Sequence, residues 1–141
     1  MKGHYGKLIK VAIIYGGAYF FLHWGLSELG WRLFPNNPKD DELARQVRWF
    51  HHIMAEKFIG LALLCVAAFF ASRTHHPTRN WGVATGIAAA AVFELTGALV
   101  YIGRFGIAEY QQYNDFLYTI LWTFLLAYLF GYLAVRNQQL R

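Results

Sequence analysis

The sequence predicts an all-α membrane protein, a bundle of four helices that each cross the bilayer, with both termini on the cytoplasmic side. Three observations predict it. Hydrophobic residues fill 57% of the 141 positions and charged residues 15%, where a soluble domain runs near about 45–50% and 25%. The apolar residues are gathered into four stretches, each able to supply the roughly 20 residues that a membrane helix needs. Three of the eight acidic residues, Glu28, Glu56 and Glu94, lie inside three different stretches. A carboxylate at membrane depth costs about 2.5–3.5 kcal/mol on insertion scales, so it is expected to face a protein interior or a wet cavity and to mark a functional site.

The spans fall at about residues 7–34, 49–72, 81–102 and 116–135. The first follows Lys2, Lys7 and Lys10 and stops at the breaker cluster Pro35-Asn36-Asn37-Pro38. Its apolar run is longer than the 7–15 residues of a signal-peptide core, so it reads as a retained helix. The polar stretch KDDELARQVR then predicts an interfacial helix leading into span two, with Asp40 and Asp41 in its first turn, where the helix dipole favours negative charge. Span two ends at Arg73 and the turn from Thr74 to Arg79. Span three carries the run GVATGIAAAA, whose small residues permit close helix approach. Gly103, Arg104 and Gly106 close it, and a short polar loop leads to span four. The chain is too short for an added soluble domain, so residues 1–141 read as one membrane domain with sequential antiparallel neighbours.

Charge sets the expected orientation and partners. Lys2, Lys7, Lys10, Arg73, Arg79, Arg136 and Arg141 fall on the side of the termini. Arg32, Lys39, Arg45, Arg48 and Arg104 fall on the other. The excess places the termini in the cytoplasm by the positive-inside rule. The net charge of +5 lies largely in loops and termini, which suits contact with anionic membrane lipids. No basic stripe with exposed aromatics suggests nucleic acid. The single cysteine, Cys65, cannot form an intramolecular disulfide and reads as a small packing residue. The expected location is an integral, multi-pass position in a bacterial inner membrane or a eukaryotic endomembrane.

Helical spacing assembles the candidate site. Trp49, His52, Glu56 and Gly60 share one face of span two, and Glu94, Gly97 and Tyr101 share one face of span three. Trp24, Glu28 and Trp31 form a face of span one. His23 precedes Glu28 by five residues and so points roughly 140° away from it on a regular helix. Asp115, Tyr118 and Trp122 form a stripe on span four, beside the pair Thr119 and Thr123, which suits bonding to main-chain carbonyls. A carboxyl removed from water holds its proton more tightly, and aromatic faces stabilise cations. Acids beside aromatic walls therefore suit protonation of a carbon–carbon double bond, or binding of an amphipathic amine. A bis-histidine haem could use only His23 with His52. A di-iron centre would need a Glu-x-x-His spacing that the chain lacks. No metal or cofactor is expected.

Several short motifs resemble the EXPERA domain, the four-span module of the emopamil-binding (sterol isomerase) family. These are Phe21-Leu22-His23 followed by Glu28-Leu29-Gly30-Trp31; Met54-Ala55-Glu56; His76-Pro77-Thr78-Arg79; Gly97 to Tyr101; and Leu117-Tyr118 with Trp122. The chain differs from that family's pattern in the five-residue His23-to-Glu28 spacing, in Lys57 and in the additional Glu94. The resemblance implies acid–base isomerisation or cyclisation of an isoprenoid or sterol-like alkene through a carbocation. Glu56 would be one catalytic partner and Glu28 with His23 the other, supported by His52. Trp24 and Trp122 would wall the cation, and Glu94, Tyr101 and Tyr118 would complete the substrate site. Two alternatives stand beside it. One is a non-catalytic lipid-binding or accessory subunit, as a homodimer or within a larger membrane complex. The other is a haem or quinone redox subunit.

Overall fold

A computed structural model describes residues 2–33, 35, 39, 41–107 and 116–139, with side chains placed for 3–33, 35, 39, 41–107 and 121–136. Four helices account for nearly all of these residues: α1 (Lys2–Leu33), α2 (Glu42–Thr74), α3 (Arg79–Phe105) and α4 (Phe116–Gln139). No strand occurs among the described residues. The stretches Gly3–Leu33, Glu42–Thr74 and Arg79–Phe105 are long and apolar enough to cross a membrane, and the described apolar stretch of α4, Leu121–Arg136, is shorter. At 1.5 Å per residue, α1 and α2 are each about 50 Å long and exceed a hydrocarbon core of about 30 Å. Polar ends therefore continue beyond it. The polar stretch before span two is such an end. It is continuous with α2 rather than a separate interfacial helix.

The helix ends have identifiable causes. Asp41 is the N-cap of α2, its carboxylate accepting a hydrogen bond from the Ala44 amide at 2.7 Å. It thus acts one position before the first turn that the sequence assigns to it. Thr78 caps α3 in the same way, accepting from the Trp81 amide at 3.4 Å. Gly106 ends α3 at φ +89°, a conformation open to glycine, and its amide donates to the Ile102 carbonyl at 2.8 Å.

Helices α2 and α3 each pack against all three others, while α1 and α4 take opposite flanks. Neighbours in sequence run antiparallel, and α1 runs parallel to α3. Tyr5 meets Trp81, Phe20 meets Gly97, and Glu28 meets Arg104 along that seam. The core is made largely of alanine. Ala67, Ala68, Ala71, Ala89, Ala90, Ala127 and Ala134 are all fully buried, with Phe20, Leu64 and Phe93 filling the wider gaps. Cys65 is buried and free, as a packing residue would be.

The tightest contact is at the level of Ser72. A methyl group on Gly86 would overlap the Ser72 hydroxyl and stand 2.9 Å from the Ala68 carbonyl oxygen. One on Gly131 would stand 2.9 Å from the same hydroxyl. Three helices thus meet almost backbone to backbone, the use that small residues have in membrane helices. On α1, Gly16 sits against the Ala89 carbonyl with no room for a side chain. Elsewhere the surface is apolar: Ile13, Ile14, Phe58, Leu95, Leu99 and Leu121 are among many large exposed hydrophobic side chains. For a soluble domain this would be an aggregation surface, and for a membrane protein it is the lipid face.

Candidate functional site

Toward the Leu33 end of α1, the α1 and α2 helices part and leave a half-open cleft of about 690 Å³. Its polar lining comes from His23, Ser27, Arg48, His51, His52 and Glu56. Leu26, Leu33, Ala55 and Ile59 supply apolar wall, and Pro35 stands at the mouth. A second groove of about 250 Å³ between α2 and α4, lined by Val66, Phe69, Phe70, Phe130 and Leu133, has no polar side chain. Of the two, the first is the one lined by polar side chains among the described residues.

Glycine builds its walls. His23 reaches across to α2 and its Nε2–H donates to the main-chain carbonyl of Glu56 at 3.1 Å. A carbonyl can only accept, so it is Nε2 that carries the proton of this bond. The approach is possible because Gly60 has no side chain. A Cβ there would stand 3.1 Å from His23 Nε2. The other face of His23 lies against Phe93, with ring centroids 5.9 Å apart. One turn nearer the mouth, the His52 ring stacks on Trp31 at 3.8 Å between centroids and 16° between planes. Gly30 admits its edge, since a Cβ there would stand 3.0 Å from His52 Cε1. His52 Nε2 is enclosed without a protein partner. Arg48 lies across the mouth, its Nη1 donating to the Pro35 carbonyl at 3.2 Å.

The sequence predicts one acidic–aromatic cavity, but the structure spreads its members over three seams. Glu56 lines the α1–α2 cleft together with His23 and His52. Glu28 faces the α1–α3 seam, where Arg104 Nη1 donates to its carboxylate at 2.6 Å. Helix α1 is continuous through this region, so the five-residue spacing turns His23 and Glu28 apart. Glu94 occupies the α3–α4 seam and accepts a hydrogen bond from Thr123 Oγ1 at 2.9 Å, so the Thr123 hydroxyl serves a carboxylate rather than a main-chain carbonyl. Trp24 and Trp122 are exposed, at 40% and 57%, and neither lines the cleft. Tyr101 lies against Phe105 with ring centroids 4.8 Å apart, also outside the cleft. Asp115 and the Tyr118 and Thr119 side chains lie outside the described residues.

Sequence reasoning missed three features of the site. Ser27 lines the cleft beside His23 and was hidden among apolar neighbours. Arg48 and His51 also line the cleft; in the sequence Arg48 closes the polar stretch before span two and His51 lies just inside that span. Their signal was the four- and one-residue offsets from His52, which place Arg48 on the His52–Glu56 face. Trp31, which its spacing places on a face with Trp24 and Glu28, serves as the stacking partner of His52.

A different histidine cluster closes the other end of the bundle. His75, 3% exposed, is the C-cap residue of α2 and stacks on His4 with centroids 5.6 Å apart. Trp81 packs on both, and Thr85 Oγ1 donates to the His75 carbonyl at 3.3 Å. Burial lowers the His75 pKa below the usual histidine value, and the charges of Lys7 and His4 lower it further. His75 therefore stays neutral near pH 7, a structural member of the helix-end packing. Among the described residues no cluster of three or more His, Cys, Asp or Glu side chains could hold a metal ion. Compared with known proteins, the chain matches no family model, no curated protein and no solved structure.

Proposed function

We propose that the chain is a four-span membrane protein with cytoplasmic termini that binds an amphipathic, isoprenoid-like lipid in the α1–α2 cleft. The observation that carries this is the cleft itself, a half-open space of about 690 Å³ with apolar walls and a few convergent polar groups. That is the size and character of a small-molecule site, about 300–1,000 Å³. Its opening lies between two long apolar helices, so a lipid can enter sideways without crossing water. Native mass spectrometry of the purified protein tests this. The wild type should retain a stoichiometric lipid, and Ala55→Trp, which fills the cleft from a lining position, should lose it while unfolding at the wild-type temperature. Equal retention by both proteins would overturn the reading.

A second reading is that the bound lipid is also a substrate, whose double bond is isomerised by proton transfer. The convergence of Glu56, His23 and His52 on one cleft favours it. Glu56 would deliver a proton to one alkene carbon, and an imidazole would remove a proton from a neighbouring carbon, so that the double bond shifts without a net change in atoms or electrons. General acid–base steps of this kind contribute about 10²–10⁴-fold each. Glu56→Gln keeps the shape of the side chain but cannot supply the proton. It should abolish turnover across a panel of isoprenoid alkenes while leaving lipid retention intact. Full activity in Glu56→Gln would remove the acid–base mechanism and leave the binding reading standing.

A further inference from the structure

We propose that the groove between α2 and α4 holds an anionic phospholipid, with a stretch of one acyl chain on its apolar floor and the phosphate at Arg73 and Arg136. This site rests on the reading of the helices as membrane spans and is independent of the α1–α2 cleft. The groove, of about 250 Å³, is lined by Val66, Phe69 and Phe70 of α2 and by Phe130 and Leu133 of α4. Both helices run antiparallel to α3 and therefore parallel to each other, and Ser72 of α2 meets Gly131 of α4. Their last turns, which carry Arg73 and Arg136, thus lie at one end of the bundle. Val66, Phe70 and Arg73 recur at the spacing of one helix face. The Arg73 guanidinium stands over the Phe69 ring, 5.6 Å from its centroid, which sets the charge on the rim of the groove. Arg136 follows Leu133 by three residues, one turn nearer the same end, and its side chain is exposed.

Among the described residues no acidic side chain stands near these cations. Helix α4 contains no Asp or Glu, and the single acid of α1, Glu28, lies toward its opposite end. Glu56 precedes Arg73 by seventeen residues, about 25 Å along the continuous helix α2. Glu94 follows Arg79, the first residue of α3, by fifteen residues, about 22 Å. Both distances exceed the roughly 8–10 Å over which exposed charges act in physiological salt. Lys7 and Lys10 of α1 and Arg79 add to the positive charge of this end. A guanidinium fork matches phosphate oxygens. A choline beside that phosphate would bring a further cation to an end already crowded with cations, so the fitting head group is a net anion. The groove is smaller than the roughly 300–1,000 Å³ that encloses a whole small molecule, so it seats part of one chain while the rest of the lipid stays in the bilayer. From Val66 to Arg73 it runs about 10 Å along α2, and a chain lying in it delivers its own head group to the guanidinium. Arginines in a last turn also complement the helix dipole, but that effect is indifferent to the lipid head group.

Native mass spectrometry of the full chain in detergent tests the site, with phosphatidylglycerol and phosphatidylcholine of identical acyl chains titrated separately. The wild type should bind its first phosphatidylglycerol about tenfold more tightly than its first phosphatidylcholine, the scale of the pull of interfacial cations on an anionic lipid. Arg73→Gln should bring phosphatidylglycerol to the level of phosphatidylcholine while leaving phosphatidylcholine binding unchanged. Arg136→Gln, at an exposed position, should remove part of the preference and reads the same site should Arg73→Gln fail to fold. Lys10→Gln removes one charge from the same end on α1, across the bundle from α4, and should keep the preference. Ala55→Trp fills the α1–α2 cleft and should keep it too. Equal affinity of the wild type for the two lipids would overturn the site, as would an undiminished preference in the arginine variants. A loss in Lys10→Gln as large as in Arg73→Gln would replace the site with general attraction to a cationic surface. Loss of the preference in Ala55→Trp alone would move the anionic lipid to the cleft and overturn the α2–α4 site while upholding the reading of the cleft.

Discussion

Around Ser72, glycines of α3 and α4 face a hydroxyl and a main-chain carbonyl, and three helices close on one another with no space left. Along the α1–α2 seam, Gly30 and Gly60 face imidazole rings instead, and the helices stand apart around a cleft. The missing side chain is the same in both places. What differs is its partner. A backbone that meets backbone gains dispersion contacts and rigidity. A backbone that meets a ring supplies a socket, and the ring then carries polar atoms to a defined position. The first region holds the bundle together, and the second positions His23 and His52.

Three substitutions would break or sharpen this contrast. The largest effect is expected at Gly86→Ala. Glycine-to-alanine changes inside a helix ordinarily stabilise by roughly 0.5–1 kcal/mol. Here the new methyl would overlap the Ser72 hydroxyl and press on the Ala68 carbonyl, and overpacking of this kind costs about 1–3 kcal/mol. The melting temperature in detergent should fall, and a rise would show that the two helices are free to separate. Gly60→Ala should have a smaller effect, within about 1 kcal/mol, because the helix-propensity gain offsets a strained hydrogen bond of His23. Its signature is functional: His23 must give by a few tenths of an ångström, which strains its bond to the Glu56 carbonyl, so lipid retention should drop while the fold survives. Unchanged retention would mean that the socket does not shape the site.

The smallest effect is a pH dependence at the other end. His75 has a lowered pKa in the folded protein, so the unfolded chain binds its proton more readily. Stability from this group is fully present above the ordinary histidine value of about 6.5 and is lost as pH falls from there toward the lowered folded value. His75→Gln should flatten the acid side of a plot of melting temperature against pH. Equal slopes in the wild type and His75→Gln would place the titrating group elsewhere.

The helices were legible before any coordinates. The four apolar stretches, the breakers and the Gly/Ala run of span three correspond to α1–α4, their caps and the tight seam, because each signal is local and repeats at the helical period. The His52–Glu56 face was legible for the same reason, since residues four apart on one helix share a side whatever the helix packs against. Partners across helices were not. Nothing local in the sequence distinguishes Arg104 from another flanking cation as the partner of Glu28, or Thr123 from Thr119 as the donor to Glu94. Trp24 and Trp122 have the composition of a cavity wall but are exposed.

The sequence by itself determined where the chain is apolar, which stretches are helical, and which side chains share a helix face. Only the tertiary structure decided how those faces rotate against one another. That rotation divided three carboxylates among three seams, paired His23 with a carbonyl through the gap at Gly60, and set Arg48 at the mouth of the cleft. The physical reason is that lipid on the outside is as apolar as the side chains within, so hydrophobicity fixes depth but not facing. Close packing of small residues and the pairing of buried polar groups fix the facing, and both depend on residues distant in the chain.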